Sequence, residues 1–269
     1  MAAANLLSIR NLTIAVQDAS RERILVNGLN LEIPPLKIVA LVGGSGSGKT
    51  TTGFSILRLL PTALRVRQGE IIFNDKNLLE CSQDQMRSIR GKEISMVFQE
   101  PLNAFNPVFT IGYQIAEVLE THTRLSSRRT TGDPSHPSSR VLEILEMVGV
   151  KDAERITQSY PHQLSSGLRQ RAMIALAIAA GPQLIIADEP TSNLDVTWQA
   201  HIMELFRTLR DELKISILLI THDLGMVAHL ADQVAVLCDG KIVESGETKD
   251  VLAHPQHHFT MELMEAMAV

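Results

Sequence analysis

The sequence predicts an α/β fold, a mostly parallel sheet covered by helices, with a helical insertion near its middle. Three observations carry that prediction. A continuous apolar run of strand length occurs in "KIVALV" (37–42), and such a run suits a strand buried on both faces. Strand and helix patterns alternate after Gly181-Pro182, which argues for parallel pairing with helical crossovers. Between about 100 and 180 the alternation stops and apolar spacing of three and four takes over.

In chain order, "LLSIRNLTIAV" (6–16) and "ILVNGLNLEI" (24–33) are partly alternating strand candidates around the charged turn "QDASRER". "KIVALV" (37–42) is ended by glycines, and the pattern from Gly48 to Leu60 is helical until Pro61 punctuates it. "EIIFND" (70–75) and "EISMVF" (93–98) are further strands. "IGYQIAEVLETHTRL" and "RVLEILEMVGV" are amphipathic helices, and the polar segment 126–139, with two prolines, is an exposed loop between them. "AMIALAIAAGPQLIIA" (172–187) divides into a buried helix, a Gly-Pro stop and a buried strand, and is too short to span a bilayer. The remaining units, "QAHIMELFRTLRDEL", "ISILLITHD", "LGMVAHLAD" and "QVAVLCDGKIVESG", continue the alternation.

Composition narrows the function. The chain has 269 residues, 45% of them apolar and 20% charged, which is ample for a sizeable core. A formal net charge of -5 gives no electrostatic footprint for nucleic acid. Cys81 and Cys238 are far apart and in no metal-type spacing, as expected of two reduced thiols in a cytosolic protein. "MAAANLLSIRNLT" lacks a charged segment before a long apolar core, so no signal peptide is expected and membrane association would run through partners.

The chemistry starts at "LVGGSGSGKTTT". Gly43, Gly48, Lys49 and Thr50 satisfy G-x-x-x-x-G-K-[ST] between an apolar strand and a helix. Glycines let backbone N–H groups face inward around phosphate oxygens, and the helix N-terminus adds partial positive charge. Lys49 would reach the β- and γ-phosphates, and the Thr50 hydroxyl would ligate Mg²⁺. Average residue usage puts a chance match at on the order of one per hundred chains of this length, and the strand–loop–helix context lowers it further. Gly43, Gly44, Ser45, Gly46, Ser47, Gly48, Lys49, Thr50 and Thr51 are therefore the candidate nucleotide-binding residues.

"LIIADEP" (184–190) adds an apolar strand ending in Asp188-Glu189. Carboxylates at the C-terminal end of a strand lie where open α/β sheets bind ligands. Asp188 suits Mg²⁺ held through water, and Glu189 suits a general base polarising an attacking water. Alone, this pair is also compatible with a solvated turn; beside a phosphate cradle it points to a water-attacking ATPase.

Six motifs then stand in one order: "GGSGSGKT", Gln99, "LSSGL" (164–168), "LIIADE", "SNLD" (192–195) and His222 in "LLITHD". In that order and spacing the chain resembles, over essentially its whole length, the nucleotide-binding subunit of an ABC transporter. The resemblance implies a P-loop NTPase (RecA-like) core with an N-terminal antiparallel β subdomain and an inserted helical subdomain. Residues 1–269 would form one ATP-binding domain, with 1–99 and 181–269 as core plus β subdomain and 100–180 as the helical signature subdomain. Two such domains would dimerise head to tail around two ATP molecules. By the same resemblance, Ser165 and the Gly167 amide contact the partner's γ-phosphate, Gln99 senses Mg²⁺, His222 bonds the γ-phosphate and Asp195 reaches across the dimer. From the residues alone, Ser165 is equally a helix cap that binds nothing.

The string "QEPLNAFNPVFTIGYQI" (99–115) and the ending "GETKDVLAHPQHHFTMELM" resemble the peptide and nickel importer group. Gly44, where most relatives carry Glu, resembles one of the two ATPase subunits of nickel importers. The implied partners are a second homologous ATPase subunit, two transmembrane permeases and an extracytoplasmic binding protein, at the cytoplasmic face of the cell membrane and without nucleic acid. Three departures stand out. Ser166 replaces the signature's usual first glycine, which would cost roughly 1 kcal/mol if that position needs unusual backbone angles. No aromatic precedes Phe54, so adenine is expected on aliphatic or arginine stems. The group's C-terminal cysteines are missing, so no iron–sulfur cluster is expected; His254, His257 and His258 are expected in a solvated terminal turn. The competing classes are a non-transport ABC ATPase acting in DNA repair or translation, and an ATP-binding scaffold with weak hydrolysis.

Overall fold

The computed structural model describes residues 5–17, 22–123, 139–192 and 194–266. Its elements in order are β1 (Leu7–Gln17), β2 (Glu22–Ile33), β3 (Ile38–Gly43), α1 (Lys49–Ile56), β4 (Leu64–Phe73), β5 (Lys76–Asn77), α2 (Gln83–Ile89), β6 (Ile94–Val97), α3 (Pro101–Ala104) and α4 (Ile111–Thr123). There follow α5 (Ser139–Met147), α6 (Ala153–Gln158), α7 (Ser166–Ile178), β7 (Leu184–Asp188), α8 (Val196–Asp211), β8 (Ser216–Thr221), α9 (Leu224–Leu230), β9 (Gln233–Cys238), β10 (Lys241–Glu247), α10 (Thr248–Ala253) and α11 (His258–Glu265). The chain divides into two compact units, Met1–Met86 with Arg210–Val269, and Arg87–Leu209. Residues 18–21 of the expected charged turn, 126–138 of the expected 126–139 loop, and Asn193 lie outside the described residues, and Ser139 already belongs to α5.

The first unit holds an antiparallel sheet in the order β2-β1-β4-β5. Leu7 pairs with Ile33 on one side and with Phe73 on the other. Leu7, Ile9, Leu12 and Ile14 are buried with Ile71 and Phe73, so one face of β1 and β4 supplies core. Register slips between Arg10 and Thr13, where Gly69 takes φ 105 and a Cβ would sit 2.6 Å from the Leu12 Cα. Only a glycine lets the two strands close at this bulge.

Beside it runs a second sheet segment in the order β10-β9-β3-β8. β3 is parallel to both neighbours, and all six of its residues are buried, as its unbroken apolar run requires. Asp232 fixes where β3 begins: its Oδ2 accepts from the Ile38 amide at 2.8 Å, and its own amide donates to the Ile38 carbonyl at 2.8 Å. β9 and β10 form a hairpin over Asp239-Gly240, both at positive φ (45 and 78). An Asp-Gly pair serves such a turn because both central residues must be left-handed.

Two differences from the sequence reading have physical reasons. α1 stops at Ile56 rather than near Leu60, because Arg58 turns left-handed at φ 52 and its guanidinium donates to the carbonyls of Leu78 and Cys81. β4 begins at Leu64, six residues earlier than "EIIFND" suggests; its first half is largely exposed and carries no apolar run. The terminal histidines are exposed as expected, and His257 in addition caps α11, its Nδ1 accepting from the Phe259 amide at 3.2 Å.

In the second unit β6 and β7 pair in parallel, with Val97 opposite Ala187. The Glu93 carbonyl accepts from the Gln183 and Leu184 amides and sets their register. α4, α5, α6 and α7 pack on one another, burying Val141, Ile144 and Leu145 of α5 and Ile174 of α7. α7 ends ahead of Gly181, which is left-handed at φ 69 and lets β7 start within a few residues. Ser166 is the first residue of α7 and is not among the left-handed residues. The backbone cost foreseen for a serine there does not arise.

Candidate functional site

The residues singled out by sequence fall into two groups, one in each unit. In the first unit, parallel pairing places Val42 opposite Thr221 and Gly43 opposite Leu237. The 43–50 loop and His222 therefore leave the same, C-terminal end of the sheet at the same level. That is where ligands bind in open α/β sheets.

Inside the loop each glycine has its own reason. A Cβ on Gly43 would lie 2.2 Å from the Leu237 carbonyl oxygen, so the loop can leave β3 only without a side chain. Gly46 is left-handed at φ 77, and Gly48, at φ 106, is the N-cap of α1. Lys49 is 7% exposed, and its ammonium donates to the carbonyls of Gly43 and Gly44 at 2.8 and 2.9 Å. The loop is thus held in a closed ring by the cation that a phosphate would meet. Among the described residues the buried Ser47 hydroxyl has no hydrogen-bond partner, an unusual state for a buried polar atom. A buried cation, an orphaned hydroxyl and the first turn of a helix together form a receptor for phosphate oxygens.

A cavity of about 250 Å³ opens beside this loop, lined by Gly46 to Thr51 together with Arg23 and Leu25 of β2. Thr50 and Thr51 are half-buried on it, while Ser45 is exposed. β2 runs close along the loop, since a Cβ on Gly48 would come within 3.0 Å of the Leu25 carbonyl. His222 is exposed just past β8, next to Asp223, whose carboxylate caps α9 by accepting from the Met226 amide at 3.0 Å.

In the second unit, Gln99 and the Asp188-Glu189 pair leave the C-terminal ends of β6 and β7, which are adjacent. Asp188 is 2% exposed. Glu189 is left-handed at φ 45, rare for a residue with a Cβ. Such outliers persist only where neighbours over-determine them, and here they do. Ser192 donates to the Glu189 carbonyl from its amide (3.1 Å) and its hydroxyl (2.9 Å), and the Gln170 side chain donates to the Pro190 carbonyl at 2.6 Å. The half-buried Glu189 side chain is thereby aimed by a locked turn. Gln99 is exposed, with its carbonyl 3.5 Å from the Ser192 hydroxyl.

Ser165 is the N-cap of α7, accepting from the Leu168 amide at 3.4 Å, and Ser165 and Ser166 face solvent. Arg169 braces this turn by donating to the carbonyls of Pro161 and Leu164. Gly167 is buried beneath the Trp198 ring. Asp195 is exposed ahead of α8 and accepts from the Trp198 amide at 3.0 Å. Sequence reasoning missed Gln170 and Trp198 as supports of these turns, and Arg23 and Leu25 as cavity walls. For Trp198 a signal existed, because a lone tryptophan three residues after an exposed aspartate asks what its ring covers. Among the described residues no cluster of three or more metal-ligating side chains occurs, and no helix is long and apolar enough to cross a membrane.

Residues 26–192 match the family described as ABC transporter. The chain is 41% identical to the oligopeptide transport ATP-binding protein OppD of Bacillus subtilis, over 97% of this chain and 72% of that protein. It is 44% identical to the peptidoglycan transport ATP-binding protein YejF of Agrobacterium fabrum, over 97% of this chain but 47% of that one, so it spans about half of YejF. Among solved structures, the dimeric post-hydrolysis state of the ATP-binding cassette MJ0796, bound to ADP and Pi, superposes with a TM-score of 0.78 at 27% identity. That match covers 90% of this chain and 98% of the other.

Proposed function

The chain belongs to the ABC transporter family as an ABC ATPase, and on that premise we propose that it powers a bacterial importer of peptides. Relatives named as peptide import, oligopeptide transport and dipeptide transport ATP-binding proteins support this cargo. Nickel or a nickel chelate is the second cargo, on the single residue Gly44. We assign 1–99 and 181–269 to the core with its β subdomain and 100–180 to the helical signature subdomain.

In this reading Gly43, Gly44, Ser45, Gly46, Ser47, Gly48, Lys49, Thr50 and Thr51 hold the phosphates. The buried Lys49 ammonium and the orphaned Ser47 hydroxyl are the observations that carry it. Adenine lies over the stems of Arg23 and Leu25, which line the same cavity where no aromatic is available. The hydroxyl of Thr50, Gln99 and the buried carboxylate of Asp188 are hard oxygen donors of the kind Mg²⁺ takes, and the ion would neutralise phosphate charge. Glu189 orients and deprotonates the attacking water from its locked turn, and His222 hydrogen-bonds the γ-phosphate. Ser165, the Gly167 amide and Asp195 act on the ATP of a homologous partner in a head-to-tail dimer.

The partners are two permeases and an extracytoplasmic binding protein, at the cytoplasmic face of the cell membrane. Leu102, Val108, Phe109 and Tyr113 support a permease partner: all four are exposed, and two of them stack at 4.7 Å. An apolar group of this kind marks an interaction site. The decisive experiment compares Glu189→Gln with Lys49→Ala in the assembled importer. Glu189→Gln should keep ATP binding and lose hydrolysis by about a hundredfold or more, and Lys49→Ala should lose binding. Unaltered turnover in Glu189→Gln would instead favour the scaffold reading, and co-purification with ribosomes or DNA would favour the non-transport one.

A further inference from the structure

Gly167 does not owe its identity to its backbone. It is the second residue of α7 and is not left-handed. What excludes a side chain is Trp198: a Cβ at 167 would lie 2.5 Å from the ring's Cδ2 and 2.7 Å from both Cε2 and Cε3. These atoms share the six-membered ring, so the face of the indole rests directly on the backbone of the signature turn.

The ring is gripped from a second turn of the same helix. The Arg171 guanidinium lies 5.3 Å from the ring centroid, within the range of a cation–π contact. Arg171 is itself anchored, donating to the Val148 carbonyl and filling the space beside Gly149, where a Cβ would meet its Nη1 at 1.9 Å. His201 meets the indole edge-on at 5.8 Å. At its backbone, Trp198 donates to the Asp195 carboxylate at 3.0 Å. One residue thus supports the turn bearing Ser165 and the Gly167 amide and, through its amide, holds the Asp195 side chain.

We infer that Trp198 is a positioning residue that couples the signature turn to the Asp195 turn, so that the groups this chain offers to its partner's ATP move as one body. The inference rests on the proposed head-to-tail reading. Trp198 touches no reacting atom; it acts by fixing where Ser165 and the Gly167 amide point. Loss of the ring leaves a gap under the first turn of α7, and small misplacements of such groups are costly for rate.

The test uses the importer complex with the full chain and four variants: Trp198→Phe, Trp198→Ala, Gly167→Ala and the Gly167→Ala/Trp198→Ala pair. Trp198→Ala should lower kcat for ATP hydrolysis on the order of tenfold, with KM for ATP within about twofold. The Lys49 cradle contains none of these residues. Trp198→Phe, which keeps a flat ring, should retain most of the rate. The pair should recover at least about threefold over Gly167→Ala alone, because the ring that the methyl strikes is gone. This is the only tryptophan in the chain, so its emission should change when ATP drives the Glu189→Gln chain into the closed dimer.

A folded Trp198→Ala with wild-type kcat, or a pair no better than Gly167→Ala, overturns the inference. If Trp198→Ala fails to fold, the phenylalanine variant and the emission change decide: loss of the rate in Trp198→Phe, or emission indifferent to ATP, overturns it. A wild-type complex that neither binds nor hydrolyses ATP overturns the proposed function itself, an outcome distinct from the others.

Discussion

Three glycines of one loop should respond to the same substitution in three different ways. At Gly43 an added methyl carbon would lie 2.2 Å from the Leu237 carbonyl oxygen and 2.9 Å from the Ser47 hydroxyl. An ordinary contact for such a carbon is about 3.5 Å, so β9 and the loop must separate by roughly 1 Å. Overpacking of this kind costs about 1–3 kcal/mol. The Gly43 carbonyl also holds Lys49, and disturbing that bond adds about 1 kcal/mol. Gly43→Ala should therefore lose about 2–4 kcal/mol, a fall in Tm of roughly 5–15 °C for a chain of this size. Gly46 has open space around it but a φ of 77, so alanine there should cost only about 1 kcal/mol, the penalty of a left-handed residue with a Cβ. Gly44 has neither problem, its nearest neighbour being Phe259 Cζ at 3.8 Å, and alanine should leave the melting temperature nearly unchanged. Thermal unfolding without nucleotide reads all three. If Gly43→Ala melts within about 2 °C of Gly44→Ala, the reasoning that places β9 against this loop is wrong.

Asp232→Ala should cost about 2–3 kcal/mol in denaturant unfolding, because the Ile38 amide loses a charged acceptor; the pair with the half-exposed Lys37 adds little. Gln170→Ala should cost about 1–3 kcal/mol by leaving the Pro190 carbonyl buried and unbonded, and hydrolysis should fall more than ATP affinity as the Glu189 turn loosens. Burial opposes charge on Glu244, yet the Thr260 side chain and the amides of Gln256 and His257 hold its carboxyl below the ordinary value. A depressed carboxylate stabilises above its unfolded pKa of about 4.3, and that stabilisation is lost as pH falls through the lower folded value. Protection of the 254–266 amides against hydrogen exchange, relative to the unfolded chain at the same pH, should accordingly fall as pH drops below that unfolded value in the wild type and already be low at about pH 6 in Glu244→Gln.

Local physics was legible in the sequence, and distance was not. "KIVALV" and "LIIAD" announced fully buried strands because an unbroken apolar run has no exposed face to offer. Ser165 was legible as a cap because a hydroxyl before a helical run has an amide to satisfy. The start of β4 was invisible, since its exposed half carries no pattern and is ordered by pairing with residues some fifty positions away. The early end of α1 rests on Arg58 reaching the carbonyls of Leu78 and Cys81, a tertiary contact that periodicity cannot contain. At the site, the motif residues were legible from spacing, but the contacts that hold their turns were not. The left-handed Glu189 and the Gln170 that steadies its turn are properties of three dimensions. Whether Ser166 is strained could not be read from the motif either: it is helical, and the left-handed residue is Glu189, in the next motif along the chain.

The ring that Lys49 closes on its own loop sets a threshold for whatever enters. A visiting anion would compete for an ammonium that already donates to two carbonyls at 2.8 and 2.9 Å. A charged oxygen makes a hydrogen bond roughly twice as strong as a neutral one, so a single oxygen gains little by the exchange. A chain of phosphates, whose other oxygens reach the loop amides and the Ser47 hydroxyl as well, gains at every contact. Such an arrangement would favour a ligand that presents several oxygens at once over a small anion.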